Sequence, residues 1–263
     1  MKNVLITGGS SGIGLEISKR FAQNGYTIYW VSLFEEEVQE AKKEMQAAFP
    51  ATSIHYLIQD LSKESGAQKV HDWVSAQNFD IDVLINNAGY ATYGMSVGIP
   101  MEREVNMINL NVLNLYKMTR LFLTDMTAKD KGTIINISSS TSFQPVPRMA
   151  AYAATKAFVA HYSQALQEEL KEQGSGVKVI TVCPAGIKDT KFKAVAKMEK
   201  TKTFESATAT TKKEVADDTW KAFQNGTTYI KSGKALRNTT WLSKILPNSV
   251  ILKLMRDELK ETD

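Results

Sequence analysis

The chain has 263 residues, 43% apolar and 23% charged, with a net charge of +4; this excludes wholesale disorder and collagen-like repeats, and the charge is too small to argue for nucleic acid. One cysteine, Cys183, and three histidines, His55, His71 and His161, leave no internal disulfide and no cysteine cluster for zinc, so no metal is expected. The apolar run ahead of the first glycines is too short for a signal-peptide core, and no stretch approaches the ~20 apolar residues of a membrane span, so a soluble, cytoplasmic protein is expected.

Apolar runs alternate with longer helical stretches. Val4–Thr7 reads as a short buried strand, and residues 12–24 as a helix ended by Gly25. Tyr26–Ser32, rich in aromatic and β-branched residues, is the second strand, followed by a charged helix over Glu35–Ala48 that stops at Phe49-Pro50. Ser53–Ile58 is the third strand, and Lys63–Gln77 a helix with Ser62 as its N-cap. Ile81–Ile85 is the fourth strand, before a long helix over Met101–Thr127. Gly132–Ile137 is the fifth, Ala150–Gly174 another long helix, and Val177–Cys183 the sixth strand. Strands alternating with helices predict an α/β fold, a Rossmann-like doubly wound parallel sheet covered on both faces. No repeat or linker divides residues 1–263, so one domain is expected.

Two segments break the rhythm. Residues 188–214 carry eight lysines against four acidic residues, which equals the whole net charge. From Arg237 on, Trp241, Leu242, Ile245 and Leu246, then Val250, Ile251, Leu254 and Met255, suggest two apolar helical faces separated by Pro247. The first reads as a small helical lid and the second, over 237–263, as a C-terminal helical extension.

Thr7-Gly8-Gly9-Ser10-Ser11-Gly12-Ile13-Gly14 follows the first strand and opens the first helix. Free N–H groups and the dipole at a helix N-terminus suit a pyrophosphate, and glycines allow the tight turn and close backbone approach. The spacing is G-x-x-x-G-x-G, and by itself it also fits a merely tight connection. Downstream lie Asn86-Asn87-Ala88-Gly89, Ser139, Tyr152 and Lys156. With these the sequence resembles the short-chain dehydrogenase/reductase family in its compact one-domain form. The matching motifs are TGGSSGIG, Asp60-Leu61, NNAG, Asn111 within NLN, NISS ending at Ser139, and Tyr152 and Lys156 of YAATK, in family order over residues 1–190.

Tyr152 and Lys156, four apart on one helix, share a face. A phenol has a pKa of ~10, and a nearby ammonium lowers it, making a general acid/base for carbonyl reduction or alcohol oxidation. Many solvated helices carry such a pair without using it. Ser139 lies at a strand end, 13 residues before Tyr152 as in the family, and can donate to a developing alkoxide; Ser138 and Ser140 flank it. The resemblance implies that Lys156 also bonds the nicotinamide ribose and that Asn111 supports a water chain from Lys156 to solvent, with Asn109 and Asn114 close by. It further implies cofactor contacts from Gly8, Ser10, Ser11, Gly12, Ile13, Gly14, Ser32, Asp60, Leu61, Asn87, Ala88, Gly89, Tyr152, Lys156, Pro184, Ile187 and Thr190. After Pro184 the family usually has Gly and, five residues on, Thr; here Ala185 and Asp189 stand there, with Thr190 one later.

An acid at the end of the second strand would accept from the adenosine 2′-hydroxyl and repel a 2′-phosphate. Ser32 holds that place, and Leu33 the place where NADP enzymes often carry Arg. With the excluding carboxylate missing, the reading leans to NADP(H) over NAD(H), although Glu35, Glu36 and Glu37 stand close. The expected activity is an NAD(P)-dependent oxidoreductase acting on a carbonyl/alcohol pair, Tyr152 being the acid/base. The alternative is a dinucleotide-binding sensor or scaffold without chemistry. Pocket walls expected from Tyr90, Tyr93, Met95, Phe143, Pro145, Met149, Phe192 and Met198 suit an apolar or aromatic substrate. Lys191, Lys193 and Lys197 would attract anionic substrates if they line the entrance; the other reading is a solvated face. Lysines 188–214 with the apolar C-terminal helices could also meet a membrane surface. The two long helices, Met101–Thr127 and Ala150–Gly174, are expected to build a homodimer or homotetramer.

Overall fold

Seven strands among the described residues run parallel in one sheet: β1 (Lys2–Thr7), β2 (Tyr26–Ser32), β3 (Ile54–Ile58), β4 (Val83–Asn86), β5 (Thr133–Ile137), β6 (Lys178–Pro184) and β7 (Tyr229–Ser232). Their spatial order is β3-β2-β1-β4-β5-β6-β7. The direction of winding reverses between β1 and β4, and that reversal opens a crevice at the carboxyl ends of the two strands. The computed structural model describes residues 2–190, 192–198, 201, 209–233, 236 and 246–260.

Side-chain alternation divides the apolar residues between two layers. Val4, Ile6, Ile28 and Trp30 pack on one face, under α1 (Gly12–Gln23), α2 (Glu35–Ala48) and α8 (Lys212–Asn225). Leu5, Tyr29 and Val31 pack on the other, under α3 (Gly66–Ala76), α5 (Leu115–Ala128) and α6 (Ala150–Glu172). Both faces are covered, so the strands read as continuous apolar runs. Trp30 and Phe21 are fully buried, each contributing on the order of 2–3 kcal/mol by transfer from water. Phe21 meets Tyr26 and Trp220 edge-on at 4.9 and 5.0 Å, which seats α8 against α1.

The doubly wound parallel sheet agrees with the expected fold class, and several local expectations need correction. The third helix begins at Gly66, and Ser62 is not its cap. Instead the Asp60 carboxylate accepts from both the Ser62 amide and its hydroxyl (2.8 and 2.7 Å), which holds a turn where a helix was expected. The stretch 101–127 is α4 (Met101–Ile108), a π-helical turn over Asn109–Asn114, then α5. Sequence analysis missed α8 and β7. Lys212 and Lys213 belong to the first turn of α8, not to a lid, because Thr211 and Glu214 form a capping box that starts the helix there.

The described part of the lysine-rich segment holds one short helix, α7 (Phe192–Val195). Lys197 is exposed, and Lys191 lies outside the described residues. So do Trp241, Leu242 and Ile245, expected on the first C-terminal face. The second C-terminal stretch is a helix, α9 (Asn248–Glu258), but its apolar residues do not form one face. Ile251 is buried, whereas Val250 and Leu254 are exposed. No helix of the described residues is long and apolar enough to cross a membrane.

Candidate active site

The glycine loop turns between β1 and α1. Gly8 and Gly12 adopt left-handed φ of +64° and +55°, which glycine reaches without strain. A Cβ on Gly14 would lie 2.1 Å from the Gly8 carbonyl oxygen, and one on Gly9 2.1 Å from the Trp30 ring, so neither position has room for a side chain. Thr7, not singled out from sequence, ties the loop to β4: its Oγ1 accepts from the Asn87 and Ala88 amides, both at 3.0 Å. The Asn87 amide group donates back to the Thr7 and Gly8 carbonyls. Ser11 occupies the N-cap position of α1, and its side chain makes no capping hydrogen bond.

Ser32 ends β2, buried, with its hydroxyl 2.8 Å from that of Ser10. Leu33 and Phe34 beyond it are exposed. Asp60 is engaged by Ser62 as described, and Leu61 is buried. Pro184 ends β6, and Ile187 pairs with Thr210 in an isolated bridge. The Thr190 hydroxyl accepts from the Phe192 amide at 3.3 Å, at the start of α7.

Across the crevice, Ser139, Tyr152, Lys156 and Asn111 converge. The Ser139 hydroxyl lies near the Tyr152 phenol and bears on its pKa. Ser139 Oγ also accepts from the Thr141 amide. Its neighbour Ser138 points elsewhere, donating to the Lys156 carbonyl at 2.7 Å. Lys156 Nζ donates to the Ile137 carbonyl at 2.9 Å and stands 5.9 Å from the Tyr152 ring centroid. The π turn delivers Asn111 to the same place. Its amide donates to the Tyr90 carbonyl (3.0 Å) and to Thr155 Oγ1 (3.2 Å), while its Oδ1 accepts from the Tyr90 amide (3.3 Å). Gly89 sits between them: a Cβ there would be 2.8 Å from Asn111 Oδ1 and 3.6 Å from Lys156 Nζ. Asn114 is buried elsewhere, with no partner for its Oδ1. Thr155, inside YAATK, is a second positioning residue that sequence reasoning passed over.

Electrostatics here differ from the expectation. The Tyr152 phenol is raised rather than lowered: burial pushes it up to about 12, with the nearby Ser139 hydroxyl acting the other way. Burial pushes Lys156 down to about 8, partly offset by Cys183. Both shifts have one cause, the loss of water around a charged form. Tyr152 lies in the first turn of α6, whose N-terminus no side chain caps, so the helix dipole favours phenolate there.

An apolar cluster covers Tyr152, which is 6% exposed. It gathers Met107, Val146, Met149, Ala196, Met198 and Leu259, with Tyr90, Tyr93 and Phe192 against it. Phe192 lies 5.7 Å from the Tyr152 ring. Five of the expected wall residues are therefore here. Met95 and Pro145 are not: both are exposed. Phe143 is under the Lys231 ammonium, 5.4 Å from its ring centroid. Leu259 arrives from the far end of the chain, its carbonyl accepting from the Tyr93 hydroxyl at 2.5 Å. No local signal marks it.

A parallel sheet with a glycine loop and a largely buried Ser-Tyr-Lys-Asn group at its switch point defines a class of nucleotide-dependent oxidoreductase folds. The family model for short chain dehydrogenases matches residues 2–201. The chain belongs to the short-chain dehydrogenase family. It is 33% identical over 180 residues to the very-long-chain 3-oxoacyl-CoA reductase of Rattus norvegicus, a match covering 67% of this chain and 57% of that protein. The chain thus spans little more than half the length of that relative. It is 32% identical to the NADP-dependent 3-hydroxy acid dehydrogenase YdfG of Salmonella typhi, over 82% of this chain and 87% of that one. Among solved structures, a short-chain dehydrogenase from Sphingobium yanoikuyae in complex with NADPH superposes with a TM-score of 0.79 at 28% identity, covering 88% of this chain and 87% of the other.

Proposed function

We propose that the chain is an NADP(H)-dependent oxidoreductase interconverting a carbonyl and a secondary alcohol, on an acyl compound oxygenated at C3 and carrying an apolar body. The observation that carries this reading is the convergence of Ser139, Tyr152, Lys156 and Asn111 under an apolar cover at the switch point. A protein that only sensed a dinucleotide would have no use for a half-buried Ser139 brought together with buried Asn111, Tyr152 and Lys156, so the scaffold alternative is not favoured. The substrate class is supported by two relatives whose names place oxygen chemistry at the third carbon of an acid or acyl group.

The crevice fits a dinucleotide. The space beside Gly14 is closed to any side chain, the Gly8 and Gly12 backbones allow close approach, and the first N–H groups of α1 face no capping side chain. Residues 8 and 10–14 would hold the pyrophosphate, Asp60 and Leu61 the adenine, and Asn87, Ala88, Gly89, Pro184, Ile187 and Thr190 the nicotinamide half. The bound cofactor supplies hydride. Ser139 and the Tyr152 hydroxyl hydrogen-bond the substrate oxygen, and Tyr152 gives it a proton in reduction or takes one in oxidation. Lys156, beside Tyr152, would bond the nicotinamide ribose, and Asn111 orders the route by which the proton is replaced. NADP(H) is preferred because Ser10 and Ser32, with no carboxylate between them, can turn their hydroxyls to a 2′-phosphate. A reducing, cytoplasmic location fits the buried thiol of Cys183.

A self-associating surface is proposed on α4 to α6. Val105, Ile108, Leu113, Tyr116 and Phe158 are exposed there, beside stacked Phe158 and Tyr162. Light scattering at micromolar concentration should give a dimer or tetramer; a monomer mass refutes this. The activity itself is tested by NADPH and NADH oxidation against a panel of ketones, aldehydes and 3-oxo acids. Turnover with NADPH is expected, and Ser32→Asp should shift the preference toward NADH by about tenfold or more through repulsion of the 2′-phosphate. No turnover with any carbonyl while NADPH still binds would favour the scaffold.

A further inference from the structure

We propose that Arg148 is a specificity residue, its guanidinium receiving a carboxylate of the substrate whose carbonyl is held by Ser139 and Tyr152. This rests on the oxidoreductase reading and names its substrate more closely, as an oxo or hydroxy acid in free anionic form.

Arg148 stands two residues before α6, the helix whose first turn carries Tyr152. The intervening Met149 is buried in the apolar cluster around Tyr152. Arg148 is pinned from the other side, its carbonyl accepting from the Gly94 amide at 2.9 Å. Its φ is +65°, in the left-handed region where an L residue with a long side chain is strained. Asn or Gly would sit there more easily, and such outliers concentrate at ligand sites.

The side chain is half-buried and ends in a planar guanidinium suited to a carboxylate. Nη1 donates to the Tyr93 hydroxyl at 3.4 Å, and the guanidinium lies 6.0 Å from the centroid of the Tyr93 ring. No carboxylate of the described residues pairs with it, although a guanidinium carries five donors. The Tyr93 hydroxyl gives its own proton to Leu259, which orients its oxygen toward Arg148. Arg148, Tyr93 and Leu259 therefore form a polar rim on the cluster that covers Tyr152. The remaining donors match a carboxylate in two-point geometry, and the uncapped N-terminus of α6 adds favourable potential. An apolar stem joining the anion to the reacting carbon would run along Met149 and Met198.

The test compares 3-oxooctanoate with its methyl ester in NADPH-dependent reduction, for the wild type, Arg148→Gln, Arg148→Asn and Arg148→Lys. Asn tolerates the left-handed backbone and guards against misfolding. Calorimetry of 3-hydroxyoctanoate binding to the NADP+-loaded enzyme runs alongside. The wild type should prefer the acid at least tenfold in kcat/KM. Gln and Asn should each reduce that acid-to-ester ratio at least tenfold, through KM for the acid, and Lys should restore part of it. The same ratio in all four proteins overturns the proposal, as does a wild type that reduces only the ester; the oxidoreductase reading survives both. Arg148-dependent binding of the acid without reduction of either compound keeps the anion site and removes the oxidoreductase reading. Neither binding nor reduction of the acid by the wild type overturns the anion site.

Discussion

The glycine loop and the wall over Tyr152 face each other across one crevice and are built by different means. The loop is held mainly by backbone contacts among three neighbouring stretches, Gly14 against the Gly8 carbonyl and Gly8 N–H to the Val31 carbonyl at 2.7 Å, with the Thr7 hydroxyl accepting from the Asn87 and Ala88 amides. The wall is assembled from side chains of segments far apart in sequence, Tyr93, Met149, Phe192, Met198 and Leu259. Backbone packing tolerates almost no substitution. Side-chain packing at the rim can be changed one residue at a time, which lets a fold keep one ligand site fixed while the other varies.

This contrast predicts unequal sensitivity. The largest effect belongs to the loop. Gly14→Val puts a branched side chain into a Cβ position already 2.1 Å from a carbonyl oxygen, and should cost about 4 kcal/mol or more of stability or abolish NADPH binding. A wild-type melting temperature with wild-type affinity would break the comparison at its rigid end.

Lys156→Met probes the chemical centre between the two regions. The folded pKa of Lys156 is lowered to about 8 from 10.5. Between those values the unfolded chain binds more protons, so this residue's contribution to stability rises with pH. The wild type should therefore gain about 1 kcal/mol relative to Lys156→Met between pH 7 and 9. Chemical denaturation at the two pH values reads it. A gap independent of pH would mean that the ammonium is not desolvated.

The smallest effect belongs to the wall. Leu259→Ala removes one buried side chain near the chain end and should cost about 2 kcal/mol. KM for bulky carbonyls should change several-fold, while NADPH affinity stays within twofold. A matching loss of cofactor affinity would show that the two regions are coupled.

The same contrast explains what was legible in the sequence. The glycine loop, NNAG and the strand that precedes each were readable because the physics is local: a turn, a helix start and a strand lie within a dozen residues. The four converging polar residues were readable as spacing and family pattern. Their electrostatics were not, because the Tyr152 and Lys156 shifts come from burial under residues remote in sequence. Leu259 and Arg148 carry no local signal for their place at the rim. β7 and α8 were missed because β7 is only four residues long and α8 is mostly polar, with its buried stripe of Val215, Ala216, Thr219 and Ala222 interrupted by charge. Ser62 misled because an Asx turn and a helix cap use the same residue types.

Proton chemistry is assigned to Tyr152 and cofactor binding to the loop opposite. Tyr152→Phe, with kcat for carbonyl reduction and the Kd for NADPH measured on one preparation, tests that assignment most directly. The kcat should fall about a thousandfold, with Kd within twofold of the wild type. Retention of more than a few per cent of kcat, or a parallel loss of NADPH affinity, would contradict it.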